Sequence, residues 1–476
     1  MTNGDPDVEQ VAANSPGSLG EFNRRIMMRK PSQEVAEGEF GPDFADEPEA
    51  QKALQAIDSG ANCIFILGRA GTGKTTLVRH IMHSRGNTKQ VVLAPTGIAA
   101  INVKGQTIHS FFRFPPRLLD RDNLDPSRRN RLWRHIERII IDEVSMVRVD
   151  VMDAMDAVLR NVRKDNRPFG GVQMVFVGDF LQLPPVVPPQ EAEMLLQLGY
   201  PSPYCFSAKS LAEAQPTIIH LPTVRRQTDP FFIEQLGKLR DADEIDSAVT
   251  ELNKRCARPH RAGAEPMLLT GTNARANHYN QAGLDMIEDA PMEYIAQTTG
   301  TFDQHAGRLP VPETLVLKPG ARVMALKNDP KGRWVNGSLG TVAELEPDRV
   351  WVQLDSNGHV VDVERQSWEN IRYKWDQANK TVITEIIGSF TQMPLNLAWA
   401  ATIHKAQGLS LDDVRIDLEG GAFASGQAYV AISRARSLNG LSLSRPLRPS
   451  DVFIDPLLSE FDLWTRSNIS TTLSLR

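Results

Sequence analysis

The stretch from Cys63 to Thr76, which reads CIFILGRAGTGKTT, constrains the fold more than any other part of the chain. Its apolar opening is short and ends at glycine, which is typical of a buried strand, and residues 77–83 have helical composition. Between them, residues 68–75 match the pattern G-x-x-x-x-G-K-[ST], whose glycines let successive backbone N–H groups approach a phosphate. A strand, a glycine-rich loop and a helix in this order predict a site for nucleotide phosphates.

The side chains of this loop have predicted roles. Lys74 is expected to bring its charge to the β- and γ-phosphates, and the Thr75 hydroxyl is expected to hold Mg²⁺. The loop predicts a bound nucleotide, but it does not say what the energy of that nucleotide is used for. The nucleotide-binding residues predicted within this stretch are Gly71, Thr72, Gly73, Lys74, Thr75 and Thr76.

Three further apolar runs lie in the same half of the chain, at residues 91–94, 139–143 and 174–179. They alternate with helical segments, and this alternation predicts a parallel α/β sheet. Ligands of such sheets bind beyond the carboxyl ends of the strands. Polar residues at the ends of these runs are therefore candidates for the chemistry of the site.

Asp142 and Glu143 end one of these runs. Asp142 is expected to hold Mg²⁺ opposite Thr75, and Glu143 is expected to orient and deprotonate an attacking water. Gln182, in the stretch GDFLQLPP, is a neutral group able to sense a γ-phosphate or its water. The alternatives are an ordinary acidic strand end for the two carboxylates and a surface loop for the glutamine.

The C-terminal half repeats the alternation of strand and helix and so predicts a second α/β unit, as a length of 476 residues allows. Within it, residues 317–387 change to short alternating runs separated by Asn-Gly pairs and proline, which predicts an inserted antiparallel β module. Residues 1–44 are polar and acidic and predict a disordered tail. The strands predicted for the second unit are residues 217–221, 267–270, 414–418 and 441–443.

Composition argues against several classes of protein. The formal net charge is -5, so the whole chain carries no excess of positive charge for a polyanion. Three widely separated cysteines argue against a disulfide framework or a zinc site. No run approaches the ~20 apolar residues that span a bilayer, and no secretory signal is visible, so no membrane partner is expected.

Two arginine-rich stretches leave alternatives open. Residues 113–138 contain eight arginines and four acidic residues. They form either a solvated surface helix or a patch near a nucleic-acid backbone, because the guanidinium group suits phosphate geometry. Arg434 and Arg436 follow an apolar run and are either a surface pair or a source of positive charge beside a γ-phosphate.

Seven motifs together resemble a known family. GRAGTGKTT, APTGIAA, DEVSM, GDFLQLPPV, TVRRQTD, ATIHKAQG and YVAISRARS occur in the order of the superfamily 1 helicase motifs. Their variants are similar to those of the Pif-one branch, which is related to RecD and Dda. The resemblance runs from about Gln51 to Leu443 and so covers most of the chain. One departure is Arg225, where the family commonly has an aromatic residue.

The resemblance implies two RecA-like domains with ATP in the cleft between them. Residues 45–215 would form the first, with a strand-separating wedge at about 112–136. Residues 216–476 would form the second, with an SH3-like β insertion at about 336–390. The implied partner is single-stranded and forked DNA, along which the protein would move 5′→3′ as a monomer.

The resemblance also implies roles for individual residues. Gln51 would read the adenine, Gly408 would belong to the nucleotide site, and Arg226 and Arg434 would reach across the cleft to the γ-phosphate. The residues implied to contact DNA are Pro95, Thr96, His109, Lys327, Thr402, His404 and Lys405.

The sequence thus predicts an intracellular, ATP-dependent DNA helicase that uses Mg²⁺. A DNA-stimulated ATPase that loads or remodels without processive unwinding stays open as an alternative. A small-molecule kinase or GTPase is a weaker one, because it does not explain the second α/β unit. Whether forks, G-quadruplexes or displacement loops are preferred, in replication, repair or telomere maintenance, stays open too.

Overall fold

A computed structural model describes residues 47–86, 88–124, 130–256, 266–302 and 309–467. The predicted tail at residues 1–44 lies outside the described residues, as do Arg128 and Arg129 of the predicted wedge. The described strands are β1 (Cys63–Gly68), β2 (Gln90–Ala94), β3 (Gln106–Thr107), β4 (Arg138–Ile141), β5 (Gln173–Gly178), β6 (Thr217–Leu221), β7 (Met267–Thr270), β8 (Met292–Ile295), β9 (Gln297–Gly300), β10 (Thr314–Leu317), β11 (Arg322–Ala325), β12 (Leu339–Glu346), β13 (Arg349–Leu354), β14 (Val360–Glu364), β15 (Gln366–Asp376), β16 (Thr381–Gln392), β17 (Leu395–Leu397), β18 (Ala400–Thr402), β19 (Val414–Asp417) and β20 (Leu441–Leu443).

Helices connect most of the parallel strands. None of those described has the length and hydrophobicity that crossing a membrane requires. The described α-helices are Pro48–Asp58, Lys74–Ser84, Gly97–Asn102, Ile108–Phe112, Arg131–His135, Val149–Arg163, Pro189–Gln197, Lys209–Ala214, Pro230–Asp241, Ile245–Cys256, Asn273–Asp285, Gln427–Ile432 and Pro456–Ser467. Short 3-10 helices are Arg121–Asn123, Val144–Met146, Pro168–Gly171, Cys205–Ser207, Leu438–Gly440 and Pro449–Asp451.

Six parallel strands form the first sheet, in the order β3-β2-β4-β5-β1-β6. Alternate residues of β1 enter different cores: Phe65 packs in one, and Ile64 and Ile66 pack in the other. Both faces of the sheet are therefore covered, which explains why its central strands are apolar throughout.

Four parallel strands form the second sheet, in the order β18-β7-β19-β20. The helices Pro230–Asp241 and Ile245–Cys256 contribute Phe232, Leu236 and Leu252 to its core. The two parallel sheets confirm the predicted α/β fold class, because each has the strand and helix alternation that the apolar runs indicated.

Two features correct the predicted division of the chain at residue 215. Strand β6 was assigned to the second unit, but it pairs in parallel with β1 at the edge of the first sheet. The C-terminal helix Pro456–Ser467 also returns to the first core, where Phe461 stacks on Phe206 with ring centroids 4.1 Å apart. An apolar run does not reveal which sheet its strand joins, because the pairing depends on which sheet has an unpaired edge for that strand.

Antiparallel strands occupy the part of the chain where a β module was predicted. β14-β13-β12-β11-β17 form a five-stranded sheet, and β15-β16-β9 form a three-stranded one. The long hairpin of β15 and β16 reaches the first domain, where Tyr373 packs in the first core and Trp375 stacks on His135 at 4.2 Å. This hairpin thus lies against the described part of residues 112–136.

Candidate functional site

The phosphate loop has the backbone that its sequence predicts. β1 ends at Gly68, and the next helix begins at Lys74. Gly71 and Gly73 have φ values of +79° and +85°, in the left-handed region that favours glycine. A Cβ on Gly71 would also lie 2.5 Å from the Cβ of Arg226. The loop can therefore present its N–H groups to an anion while it packs closely against the segment that carries Arg226.

The Lys74 side chain lies against this loop. Its Nζ donates to the carbonyl oxygens of Gly68 at 2.7 Å and Arg69 at 2.9 Å. Burial lowers the pKa of Lys74, and the carboxylates of Asp179, Glu143 and Asp142 oppose that shift. The cation is therefore surrounded by the acidic side chains that follow β4 and β5.

Thr75 and Asp142 lie together, as predicted for a magnesium site. The Thr75 hydroxyl donates to Asp142 Oδ2 at 3.2 Å, although 67 positions separate the two residues. Burial raises the pKa of Asp142, while Lys74 and the Thr75 hydroxyl act against this. One hydroxyl and one carboxylate oxygen are ligands that fit Mg²⁺, which is bound in proteins through few side chains and keeps several waters.

Glu143 lies one residue beyond Asp142 and has φ +52°, an uncommon value for a residue with a side chain. β4 ends at Ile141, so both carboxylates lie in the turn after the strand rather than inside it. Burial, reinforced by the charge of Asp142, raises the pKa of Glu143 to about 7. A carboxylate with that pKa is suited to accept a proton near neutral pH.

Gln182 is held by the carboxylate of Asp179, which follows β5. Gln182 Nε2 donates to Asp179 Oδ2 at 3.1 Å, and Arg240 Nη2 donates to Asp179 Oδ1 at 2.8 Å. Burial alone would raise the pKa of Asp179, but Arg240 and Lys74 outweigh it and keep that pKa below its usual value. The predicted sensor glutamine is thus bonded to a carboxylate that is itself paired with Arg240, on a helix of the second core.

Arg434 approaches the acidic side of the site from the second domain and is almost fully buried. Its guanidinium group donates to the carbonyl oxygens of Val430 at 2.8 Å and Leu409 at 3.4 Å. Burial and the nearby charge of Arg226 lower its pKa to about 9, while Glu143 opposes the shift. Arg434 is therefore a buried cation that interacts electrostatically with Glu143.

Arg226 joins the same region from the segment after β6. It donates to the carbonyl oxygens of Ser433 at 3.2 Å and Gly408 at 3.3 Å. The Gly408 carbonyl is thereby bonded to Arg226, a second residue predicted for the cleft. The neighbouring Arg225 pairs with Glu47, which precedes the helix that carries Gln51.

Two sets of predicted DNA-contact residues follow parallel strands of the two sheets. Pro95 and Thr96 come directly after β2, and the Thr96 side chain caps the next helix by accepting from Ala99 N at 3.2 Å. Thr402 ends β18, and His404 and Lys405 lie in the turn after it. His109 is on the short helix Ile108–Phe112.

Lys327 is placed differently from the other predicted DNA contacts. Its Nζ donates to the Ser367 carbonyl at 2.6 Å and lies 5.1 Å from the centroid of the Trp368 ring. Burial lowers the pKa of Lys327. Its charge is therefore already engaged by the antiparallel part of the second domain.

Several residues of the site were not identified from the sequence. Asp179 could have been found, because it is a strand-end carboxylate in a quoted motif. Arg240 gave no such signal, and Gln407 lies in the quoted motif ATIHKAQG without being singled out there. Arg240 lies in an ordinary amphipathic helix, and Gln407 has a role only through its contact with Glu143 at 3.2 Å. The Tyr429 hydroxyl accepts a hydrogen bond from Ala70 N at 2.9 Å. In the sequence, Tyr429 looks like an ordinary aromatic residue of the hydrophobic core.

Comparisons with known proteins agree with this architecture. A sequence profile described as PIF1-like helicase matches residues 48–204. The human ATP-dependent DNA helicase PIF1 is 34% identical over 451 residues, which cover 91% of this chain and 65% of the human protein. The ATP-dependent DNA helicase Pif1 of Bdellovibrio bacteriovorus is 32% identical over 424 residues, which cover 87% of this chain and 91% of that protein. The chain therefore spans less than two thirds of the human relative and most of the bacterial one.

Solved structures give the same result. Pif1 from Bacteroides sp in complex with ADP-AlF4 is 34% identical with a TM-score of 0.81, and the match covers 88% of this chain and 97% of that one. Bacteroides Pif1 in complex with ADP-AlF3 and ssDNA is 34% identical with a TM-score of 0.64, over 89% and 97%. The predicted pair of RecA-like domains is confirmed. The chain belongs to the PIF1-like helicase family, whose matched members are ATP-dependent DNA helicases.

Proposed function

We propose that this protein uses ATP to move 5′→3′ along single-stranded DNA and to separate duplex. One observation carries the proposal: residues from later parts of the chain contact the phosphate loop, since Tyr429 accepts from Ala70 N at 2.9 Å and Arg226 packs against Gly71. Lys74 and Glu143 follow strands of the first sheet, and Arg434 is anchored in the second core. Hydrolysis at such a site depends on the relative position of the two domains, so ATP hydrolysis can be coupled to a change in that position and can drive movement.

Residues of the first domain would perform the chemistry. Lys74 and the N–H groups of the loop would hold the β- and γ-phosphates, and Thr75 and Asp142 would hold Mg²⁺, which would neutralise charge on the phosphate oxygens. Glu143 would take a proton from the attacking water while the bond between the γ-phosphorus and the ADP oxygen breaks. Gln182 would position that water or the γ-phosphate, and Gln51 would contact the adenine.

Arg226 and Arg434 would complete the site by stabilising the charge of the transferring phosphoryl group. An arginine in this role is worth roughly 10³–10⁵ in rate in well-studied NTPases. Arg226 packs against Gly71 of the phosphate loop and donates to two carbonyl oxygens, and Arg434 is buried among the carbonyl oxygens of Val430 and Leu409. That burial supports the role, because electrostatic stabilisation is stronger where water is excluded.

We further propose a DNA track along the ends of the two sheets. It would consist of Pro95, Thr96 and His109 on the first domain and Thr402, His404 and Lys405 on the second. A Bacteroides relative of the same family was solved with ssDNA, which supports DNA as the partner. Most of these side chains are uncharged, so they would bond phosphates through hydroxyl, imidazole and backbone groups.

Residues 112–136 would form the strand-separating wedge, and the antiparallel sheets around residues 336–390 would form the SH3-like insertion. The packing of Trp375 on His135 supports a shared task, because it joins the two parts directly. Opening one base-pair step costs roughly 0.6–2.2 kcal/mol, so a modest bias per step is sufficient. A monomer would suffice too, because one chain provides both sides of the cleft.

A measurement of ATP turnover with and without single-stranded DNA tests the proposal. We expect strong stimulation by DNA, because DNA that spans both domains favours the closed arrangement. Equal turnover with and without DNA would contradict it. Stimulation without strand separation on any tailed duplex would favour the alternative, a DNA-stimulated loader or remodeller.

A further inference from the structure

Residues 402–408 form one tightly hydrogen-bonded turn between the second sheet and the phosphate site. Ala406 N donates to the Thr402 carbonyl at 3.0 Å, and Gln407 N donates to the His404 carbonyl at 3.2 Å. Lys405 N donates to the Thr402 hydroxyl at 3.3 Å. A segment with this many internal bonds moves as a unit rather than residue by residue.

Residues at the two ends of this turn have different proposed roles. Thr402, His404 and Lys405 are the residues proposed to contact DNA. Gln407, at the other end, donates from Nε2 to Glu143 Oε2 at 3.2 Å. This single hydrogen bond connects the proposed DNA track of the second domain to the proposed catalytic carboxylate of the first. It spans 264 positions of sequence.

The buried ion pairs between the halves of the chain are much harder to exchange. Arg240 is buried, and its Nη2 contacts Asp179 at 2.8 Å and Asp462 at 3.0 Å. Separating that group from its partners would leave charges buried without compensation, which costs far more than breaking one amide–carboxylate bond. Arg69 and Asp241 add a further ion pair beside it, at 3.1 Å. Of these contacts, the bond from Gln407 is the one that a small shift can break.

We propose that Gln407 is a positioning residue that couples DNA binding to ATP hydrolysis. Its hydrogen bond restrains Glu143 and occupies an oxygen that the attacking water needs. DNA bound at Thr402, His404 and Lys405 shifts the turn, the bond breaks, and Glu143 becomes free to accept the proton of water. This inference rests on the proposed DNA-dependent ATPase and assigns the restraint to one side chain.

The test compares Gln407→Leu with the wild type in the 476-residue chain. Leucine keeps most of the volume and removes the donor. We expect turnover without DNA to rise roughly tenfold, the size of one hydrogen bond to a charged group. Turnover at saturating oligo-dT and the affinity for that DNA should stay within about a factor of two, which corresponds to a negligible free-energy change. The ratio of the two turnover rates should therefore fall about tenfold.

Gln281→Leu is the matched control, because Gln281 is exposed on the helix Asn273–Asp285 and donates to the Asp285 carboxylate at 2.7 Å. It should leave both rates unchanged. Gln407→Ala, measured beside a thermal unfolding curve, provides a second variant if the leucine variant folds poorly.

The outcomes separate this inference from the proposed function. If DNA does not stimulate the wild type, the proposed function fails. If DNA stimulates the wild type and both Gln407 variants keep the same ratio, Gln407 does not couple the two events. If both rates fall together, Gln407 supports catalysis instead of restraining it, and the inference is again overturned.

Discussion

At the scale of single residues, Glu143 is the most specific catalytic assignment. Its side chain is partly buried next to Asp142, and burial together with that neighbouring charge raises the pKa of Glu143 to about 7. Glu143→Gln keeps the shape of the side chain and removes the base. We expect ATP binding to be retained and turnover to fall by at least about 10², the usual contribution of a general base.

Binding of a fluorescent ATP analogue and steady-state phosphate release measure the two effects of Glu143→Gln. Lys74→Ala should differ from it by abolishing turnover through loss of phosphate contacts. Glu137→Gln serves as a control, because Glu137 is a half-exposed partner of Lys89 away from the site. Turnover of Glu143→Gln at the wild-type rate would show that another group activates water.

Arg434 tests the contribution of the second domain. Arg434→Ala should keep its affinity for single-stranded DNA, because the guanidinium group is buried against Val430 and Leu409 rather than placed on the proposed track. It should lose roughly 10³-fold or more of the DNA-stimulated ATP turnover. Arg436→Ala is the matched control, since Arg436 is half-exposed and pairs with Asp412. Full stimulation in Arg434→Ala would remove this residue from the mechanism.

At the scale of elements, the C-terminal helix Pro456–Ser467 is an integral part of the first domain. Phe461 stacks on Phe206 and also contacts Phe180 at a centroid distance of 4.9 Å. Phe461→Ala should lower the free energy of unfolding by about 3–5 kcal/mol, the usual cost of removing a buried phenyl ring.

Denaturant unfolding measures that loss, with Leu463→Ala as the control. Leu463 lies on the same helix and is 59% exposed, so its loss should change the free energy of unfolding by less than about 0.5 kcal/mol. Equal effects of the two substitutions would show that the helix does not contribute to the core.

The elements also show what a sequence can reveal. β4 was predictable, because a parallel strand covered on both faces is largely apolar, as the three isoleucines after Arg138 are. The phosphate loop was predictable, because its glycines and Lys74 have a fixed spacing. The sheet that β6 joins was not predictable, because the apolar residues of β6 would pack equally well in either domain. The predicted strand through Glu143 was two residues too long, because its carboxylates leave the sheet for the site.

At the scale of the whole molecule, contacts between distant segments were beyond the sequence. Arg240 and Asp462 are 222 positions apart, and each alone resembles a charged residue on the surface of a helix. Tyr373, 281 positions from Val92, is likewise an unremarkable aromatic in an alternating strand. Such pairs can be seen only after the chain has folded, because their significance comes from burial and not from local pattern.

The net charge of -5 predicts how the whole molecule holds DNA. Contacts through hydroxyl, imidazole and backbone groups displace few counterions. For single strands, log K changes with log salt by roughly -0.7 per neutralised phosphate, so we expect a shallow slope that corresponds to about two to four phosphates. Titration of oligo-dT binding at several salt concentrations checks this. A slope that implies eight or more ion pairs would show that DNA is held as a polyanion.

Strand displacement on tailed duplexes tests the central claim most directly. Two substrates share one duplex and differ only in whether a single-stranded tail extends from the 5′ or the 3′ end. With ATP and Mg²⁺, we predict that the wild type separates the 5′-tailed duplex and leaves the 3′-tailed one intact, and that Glu143→Gln separates neither. Preference for the 3′ tail, or separation of both substrates by Glu143→Gln, would contradict ATP-driven 5′→3′ movement.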